Sequence, residues 1–223
     1  MDRIAIYDMD KTITRVATFG PFLRHAVLRL SPWRALLFPG VILASAGYAL
    51  KRIDRGRLKE ISLALLLGPH IDRSKLVPLA EGFAEKTVTG NVYPEAIERL
   101  AADRAAGYRL VLATASNRLY VDAIAAKLGF DDVIATDSMI GLDSRVSAKI
   151  DGENCYGPAK LRMIQTWMAR HAIERGSAHI RFYSDHASDE PALAWADEAF
   201  AVNAHDALRS LAVERGWERI DWK

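Results

Sequence analysis

The chain has 223 residues, half of them apolar, which is enough to bury one sizeable core. Thirty Lys and Arg against 28 Asp and Glu leave a net charge of +2, and so small an excess makes no case for a nucleic-acid partner. A single cysteine, Cys155, excludes an internal disulfide and the paired-cysteine metal patterns, and points to a reducing, cytoplasmic compartment.

"RIAIYD" at 3–8 reads as a first strand rather than a secretory leader. The next 80 or so residues break its pattern. Residues 15–92 are rich in Leu, Ala and Arg, carry no convincing strand, and are punctuated by Pro32, Pro39-Gly40, Gly47 and Gly68-Pro69. They are expected to form an inserted helical subdomain, leaving 1–14 and 93–223 as the core. Residues 11–53 hold seven basic residues and no acid, and the 16 residues 35–50 carry no charge at all. That run is too short to span a bilayer and is broken by Pro-Gly. It is expected to be buried or self-packed, or else to touch a membrane or an apolar substrate.

From residue 93 the chain alternates. Helical patterns at 93–106, 118–128, 159–175, 189–197 and 205–215 separate apolar runs at 109–115, 133–137, 180–185 and 199–203, and Gly107, Gly129, Gly176 and Gly216 are plausible helix stops. Alternation of this kind predicts an α/β fold: a Rossmann-like, mostly parallel sheet with helices on both faces.

Ligands of such sheets sit at the carboxyl ends of the strands. Asp8 and Asp10 leave the first strand on one side, because side chains repeat every two residues. Thr114, Ser116 and Asn117 end the second. Asp185 ends the fourth, with Asp189 four residues on and Ser188 placed to cap the following helix. Lys160 stands in the first turn of the helix before it. Like charges gathered this closely are costly unless a cation neutralises them or a proton is shared. Carboxylates without His or Cys suit Mg²⁺, which keeps water and a substrate phosphate as its other ligands. Asp8 can then attack phosphorus, and Asp10 can protonate the leaving alcohol and afterwards activate water. Lys160 and Thr114 would orient the phosphoryl oxygens.

"DMDKT", Thr114 of "VLATAS", Lys160 and "SDHASD" resemble, in order, the four motifs of haloacid dehalogenase-like phosphatases, in particular the phosphoserine-phosphatase-like branch with a helical cap after the first motif. The resemblance implies phosphate-monoester hydrolysis with Asp8 as nucleophile, Asp10 as acid and base, and Mg²⁺ held by Asp8, the Asp10 carbonyl and Asp185, supported by Asp189. Ser116, Asn117 and Ser188 are candidate substrate contacts. Two positions depart from that pattern. Ser184 stands where a glycine is usual, and the glutamate that receives the substrate ammonium in phosphoserine phosphatases is missing from the acid-free stretch. The substrate is therefore expected to be a small or lipid-like phosphate monoester other than phosphoserine. Arg24, His25, Arg29 or Arg52 could attract it, or the apolar cap could rest peripherally on acidic lipid. Phosphoryl transfer to another acceptor, or a catalytically idle membrane-peripheral protein, are the rival readings. His186 is expected to face solvent, and Cys155 to be a packing residue.

Overall fold

The computed structural model describes the whole chain, Met1–Lys223. After β1 (Asp2–Tyr7) come α1 (Phe19–Leu30), a 3₁₀ turn (Pro32–Leu37), α2 (Phe38–Ala49), α3 (Arg55–Leu66), β2 (His70–Asp72), α4 (Arg73–Asn91) and α5 (Pro94–Ala105). The second half runs β3 (Arg109–Asn117), α6 (Arg118–Leu128), β4 (Asp132–Ile140), β5 (Arg145–Asp151), α7 (Pro158–Arg170), β6 (Ala178–Ser184), α8 (Glu190–Trp195), β7 (Glu198–Val202), α9 (Asp206–Arg215) and β8 (Glu218–Ile220).

The central strands are buried on both faces. In β1, Ile4 and Ile6 enter one apolar cluster while Ala5 and Tyr7 enter another; β3 divides Val111 and Ala113 from Leu110 and Leu112 in the same way. A continuous apolar run is what a strand covered on both sides requires. The strands form one sheet in the order β2-β5-β4-β3-β1-β6-β7-β8, and from β4 to β8 every pairing is parallel. Register places Tyr7 beside Leu112 on one side and Tyr183 on the other. Asp8, Asp185 and the end of β3 therefore emerge at one edge.

Three strands go beyond the expected five. β5 alternates buried Val146 and Ala148 with exposed neighbours, so it lacks the continuous apolar run that marks the central strands. β8 is a three-residue edge strand. β2 corrects the expectation that the insertion has no strand: His70–Asp72 pairs antiparallel with Arg145–Ser147 of β5 and ties the insertion to the sheet. A second correction concerns Gly176. α7 stops at Arg170, and Gly176 lies in a separate 3₁₀ turn, whereas Gly129 and Gly216 do end helices in the left-handed conformation, at φ +77° and +69°.

The insertion leaves and rejoins the core at one point. Arg15 N donates to Asn91 O (2.7 Å), Tyr93 N to Ile13 O (3.0 Å), and the Asn91 amide bonds Val16 in both directions (3.0 Å each). Its inward residues Phe22, Leu23, Leu63, Leu79 and Phe83 join the same apolar cluster as Tyr7 and Leu112. The 3₁₀ turn and α2 contribute nothing buried.

Asp103 on α5 fixes the two strands that carry the site acids. It is buried and accepts from the Tyr7 hydroxyl (2.5 Å), the Tyr183 hydroxyl (2.9 Å) and Arg181 Nη1 (2.7 Å), while the rings of Tyr7 and Tyr183 stack at 4.1 Å. Both tyrosine pKa values are raised, chiefly by burial, with Asp103 adding to it in each case, so the hydroxyls remain donors. Replacing Asp103 with Ala strands two buried hydroxyls and one bond of the half-buried Arg181 at once. It is expected to cost about 3–5 kcal/mol in urea denaturation; a loss below about 1 kcal/mol would show that the network does not hold β1 against β6.

Candidate active site

At the end of β1 the Asp8 amide donates to Tyr183 O (2.9 Å), which carries the strand pairing through to the first acid. The chain then turns sharply at Lys11, whose φ of +64° is left-handed and costs a non-glycine residue about 1–2 kcal/mol. The amides of Ile13 and Thr14, both 3.0 Å from Met9 O, hold the turn closed. It folds Thr12 back beneath the strand ends, where its buried hydroxyl lies 3.5 Å from Asp8 Oδ2 and 3.5 Å from Asp185 Oδ1. One hydroxyl thus reaches both carboxylates.

Lys160, in the first turn of α7, is buried and bonds Asp8 Oδ1 at 2.8 Å and Asp189 Oδ2 at 2.6 Å. Ser184 adds a third contact in this group, donating to Asp189 Oδ2 at 2.8 Å. Its backbone is ordinary strand, so the serine strains nothing and anchors Asp189 instead. Asp189 Oδ1 is buried with no partner. Burial raises the pKa values of Asp8 and Asp185 above the usual carboxylate range, and repulsion among Asp8, Asp185 and Asp189 adds to it despite the pull of Lys160. Burial opposes the charge on Lys160 as well, but Asp189 and Asp8 outweigh it and hold the lysine protonated.

Three buried carboxylates thus face one buried ammonium, an imbalance a divalent cation would correct. The donors suit Mg²⁺: they are oxygens, and one carboxylate oxygen is unpartnered. No three acidic, imidazole or thiol side chains stand close enough to enclose an ion by themselves. An ion here would take Asp8 and Asp185 from the protein and complete its shell with backbone oxygen, water and substrate, as Mg²⁺ commonly does.

Asp10 is held by donors on both oxygens. Oδ1 accepts from the Thr18 amide and hydroxyl, at 2.8 Å each, and Oδ2 from the Ser116 hydroxyl at 2.8 Å. Thr114 lines the same cavity, of about 380 Å³, together with Asp8, Asp10, Lys160, Asp185 and Asp189.

Several expected contacts fall elsewhere. Asn117 is wholly buried and caps α6, accepting from Leu119 N and donating to Ser138, so it does not face a substrate. Ser116 is buried, turned to Asp10 and absent from the cavity lining. Ser188 lines the cavity but caps no helix: α8 starts without a side-chain cap, and His186 instead caps the 3₁₀ turn Ala187–Asp189, accepting from Ser188 N through Nδ1, its ring exposed as expected. Cys155 is packed and its thiol is pushed up to about 12 by burial, as suits a packing residue. Arg24, His25, Arg29 and Arg52 do not line the cavity, and His25 is buried against Phe83.

Arg55 lines it instead, its guanidinium 4.5 Å above the Tyr156 ring and outside every ion pair. It lies two positions past the acid-free stretch. Lys59, one helical turn on, is buried; its Nζ donates to Ala115 O and, at 2.6 Å, to Asn154 Oδ1. Burial first, and Arg55 next, lower its pKa to about 7. A neutral amine has two N–H donors, which match these two acceptors. Nothing in "RGRLKEIS" sets this lysine apart from an ordinary helix-surface cation. Thr12 stood in the quoted motif without a role.

Residues 5–194 match the family described as haloacid dehalogenase-like hydrolase. A Mycobacterium tuberculosis H37Rv protein named phosphoserine phosphatase SerB1 is 27% identical over 228 residues, covering 98% of this chain and 70% of its own. A Bordetella pertussis protein of unknown function superposes with a TM-score of 0.86 at 25% identity, covering 99% of both chains. A phosphoserine phosphatase solved as a phospho-aspartyl intermediate analogue shares the fold at a TM-score of 0.63 and 16% identity, covering 100% of this chain and 94% of its own. The match spans most of the sequence and includes every acid gathered at the sheet edge, and the chain belongs to the haloacid dehalogenase-like hydrolases.

Proposed function

We propose that the protein is a Mg²⁺-dependent phosphatase that hydrolyses a phosphate monoester through an aspartyl phosphate on Asp8, with the insertion, residues 15–92, acting as its cap. The observation that carries this reading is Asp8 itself. It lines the cavity, with one oxygen on Lys160 and the other 3.5 Å from the hydroxyl that also reaches Asp185. An idle fold has no physical reason to keep three carboxylates buried around one lysine.

Mg²⁺, when bound, would neutralise phosphoryl oxygens and the facing carboxylates. Asp8 Oδ2 forms the bond to phosphorus as the ester P–O bond breaks, and Asp10 gives its proton to the departing alkoxide. Asp10 then takes a proton from the water that attacks the aspartyl phosphate, which releases inorganic phosphate and restores the Asp8 carboxylate. Lys160 and Thr114 orient the phosphoryl oxygens, and Asp189 with Ser184 orients Lys160. Thr18 and Ser116 fix the angle of Asp10. Because Thr18 precedes the first helix of the insertion, cap position and the acid–base group are mechanically joined.

The substrate beyond its phosphate is inferred from what faces the cavity across from the acids. The insertion contributes Arg55 and Ala17 there and no carboxylate. A leaving group bearing an ammonium has no partner on that side, whereas a neutral or anionic one meets a free guanidinium. The relative named phosphoserine phosphatase does not carry its substrate over to this site.

Hydrolysis of p-nitrophenyl phosphate and of a panel of monoesters that includes phosphoserine tests both parts. Turnover is expected to require Mg²⁺ and to fall by about a thousandfold or more in Asp8→Asn. Phosphoserine is expected to show no advantage in kcat/KM over glycerol phosphates. Metal-independent turnover, or an Asp8→Asn variant of near-normal rate, would defeat the mechanism. A preference for phosphoserine by orders of magnitude would defeat only the substrate inference.

The charge imbalance also predicts a thermal shift. Saturating Mg²⁺ at about 100 times its Kd is expected to add about 2.7 kcal/mol of stability, read as a higher Tm than in EDTA. Asp185→Asn should lose most of that increment. An equal shift in the variant would place the ion elsewhere.

Lys59 gives a pH signature of cap seating. Its folded pKa of about 7 lies below the ordinary lysine value of 10.5, so between these values the unfolded chain binds more protons and stability rises with pH. The contribution is present above the upper value and is lost as pH falls through the lower one. Lys59→Met is expected to flatten the rise in unfolding free energy between about pH 7 and 10 relative to the parent protein. Parallel curves for the two proteins would show that Lys59 is not held as a neutral latch.

A further inference from the structure

The side of the insertion that faces away from the core is apolar where a helix of a self-contained domain would be polar. None of the twelve residues of α2 is buried. Phe38 and Val41 pack partly against the core cluster, while Pro39, Ile42, Leu43, Ala46 and Leu50 follow helical spacing along an exposed face. Six of the fifteen large apolar side chains exposed anywhere on the protein lie between residues 33 and 50: Trp33, Leu36, Ile42, Leu43, Tyr48 and Leu50. The expectation that this run would be buried or self-packed is corrected on this face. At twelve residues, α2 is about 18 Å long, and no helix of the protein is long and apolar enough to cross a membrane.

Charge says what covers this face. None of the seven basic residues of 11–53 forms an ion pair with a carboxylate, although paired charges are common over the rest of the surface. Exposed Arg24 and Arg29 stand on α1, which packs against the 3₁₀ turn, and exposed Lys51 and Arg52 follow α2 directly. A second copy of the chain would bring the same unpaired cations to the same place, a like-charge arrangement that opposes association. A surface offering apolar interior and anionic phosphate together is complementary to both features.

We propose that the 3₁₀ turn and α2 lie in the interfacial layer of an anionic lipid bilayer, with Ile42, Leu43, Leu36 and Trp33 inserted and Arg24, Arg29, Lys51 and Arg52 on lipid phosphates. This reading does not depend on the reaction at Asp8. It bears on access to the cavity all the same, because Tyr48 near the end of α2 lines a groove of which two further lining residues, Arg55 and Tyr156, also line that cavity.

The test is flotation of the full chain with vesicles of phosphatidylcholine alone and of phosphatidylcholine containing about 30% phosphatidylglycerol, at low salt and at about 0.5 M NaCl. Binding is expected to be about tenfold or more stronger on the anionic vesicles and to weaken in high salt. Ile42→Glu/Leu43→Glu is expected to abolish binding while leaving Tm and p-nitrophenyl phosphate turnover unchanged, both side chains being largely exposed. A second readout needs no disruptive change: on anionic vesicles tryptophan emission is expected to shift to the blue, and Trp33→Phe to remove most of that shift. No binding to anionic vesicles at low salt overturns the proposal, as does equal binding by the Glu variant. A dimer in solution that this variant dissociates overturns it in favour of a second copy.

Discussion

One buried ammonium set among three buried carboxylates is the constraint on which the rest of the structure depends. Lys160 can satisfy Asp8 and Asp189, and it leaves Asp185 facing Asp8 across the hydroxyl of Thr12. Groups of like charge stay buried together only where the surrounding fold over-determines their positions. The parallel pairing of β1 with β6 sets their edge, the left-handed turn at Lys11 brings Thr12 underneath, and the tyrosine pair on Asp103 locks the two strands from behind. The price of that arrangement is an excess of negative charge at the strand ends, and the same excess makes the site receptive to a metal ion.

The insertion serves the site through few contacts, each of a different kind. β2 fastens it to the edge of the sheet, Thr18 bonds the carboxylate of Asp10, and Lys59 crosses to a backbone carbonyl of β3. Arg55 is left unpaired at the cavity wall. Because the insertion shares its apolar cluster with the sheet and Thr18 bonds Asp10, its seating is felt at that carboxylate. Its outer surface answers to other demands. The same stretch that presents Phe22 and Leu63 inward presents Ile42 and Leu43 outward, with unpaired cations beside them.

Much of this was legible in the residue order. Two-residue alternation put Asp8 and Asp10 on one side of a strand, and the βα rhythm put Thr114, Lys160, Asp185 and Asp189 at the same edge, because parallel strands must all end there. A continuous apolar run reveals a central strand, since both of its faces are covered. Peripheral strands such as β5, between β2 and β4, and β8, at the far edge, bury one face or almost nothing, and without that run they were not recognised. Ser184 could be tolerated in principle from its position in the sequence, but only the fold showed its hydroxyl on Asp189.

The sequence by itself determined the kind of sheet, the edge at which its acids meet, and the unusual union of apolar and basic residues in the insertion, because each is a local matter of period, order or composition. Tertiary structure alone decided that Asn117 caps a helix while its neighbour Ser116 bonds Asp10, that Arg55 rather than Arg24, Arg29 or Arg52 reaches the cavity, and that Lys59 is buried. Each of those outcomes depends on which distant group comes within about 3 Å. That distance is settled by how helices pack on the sheet, and no local pattern encodes it.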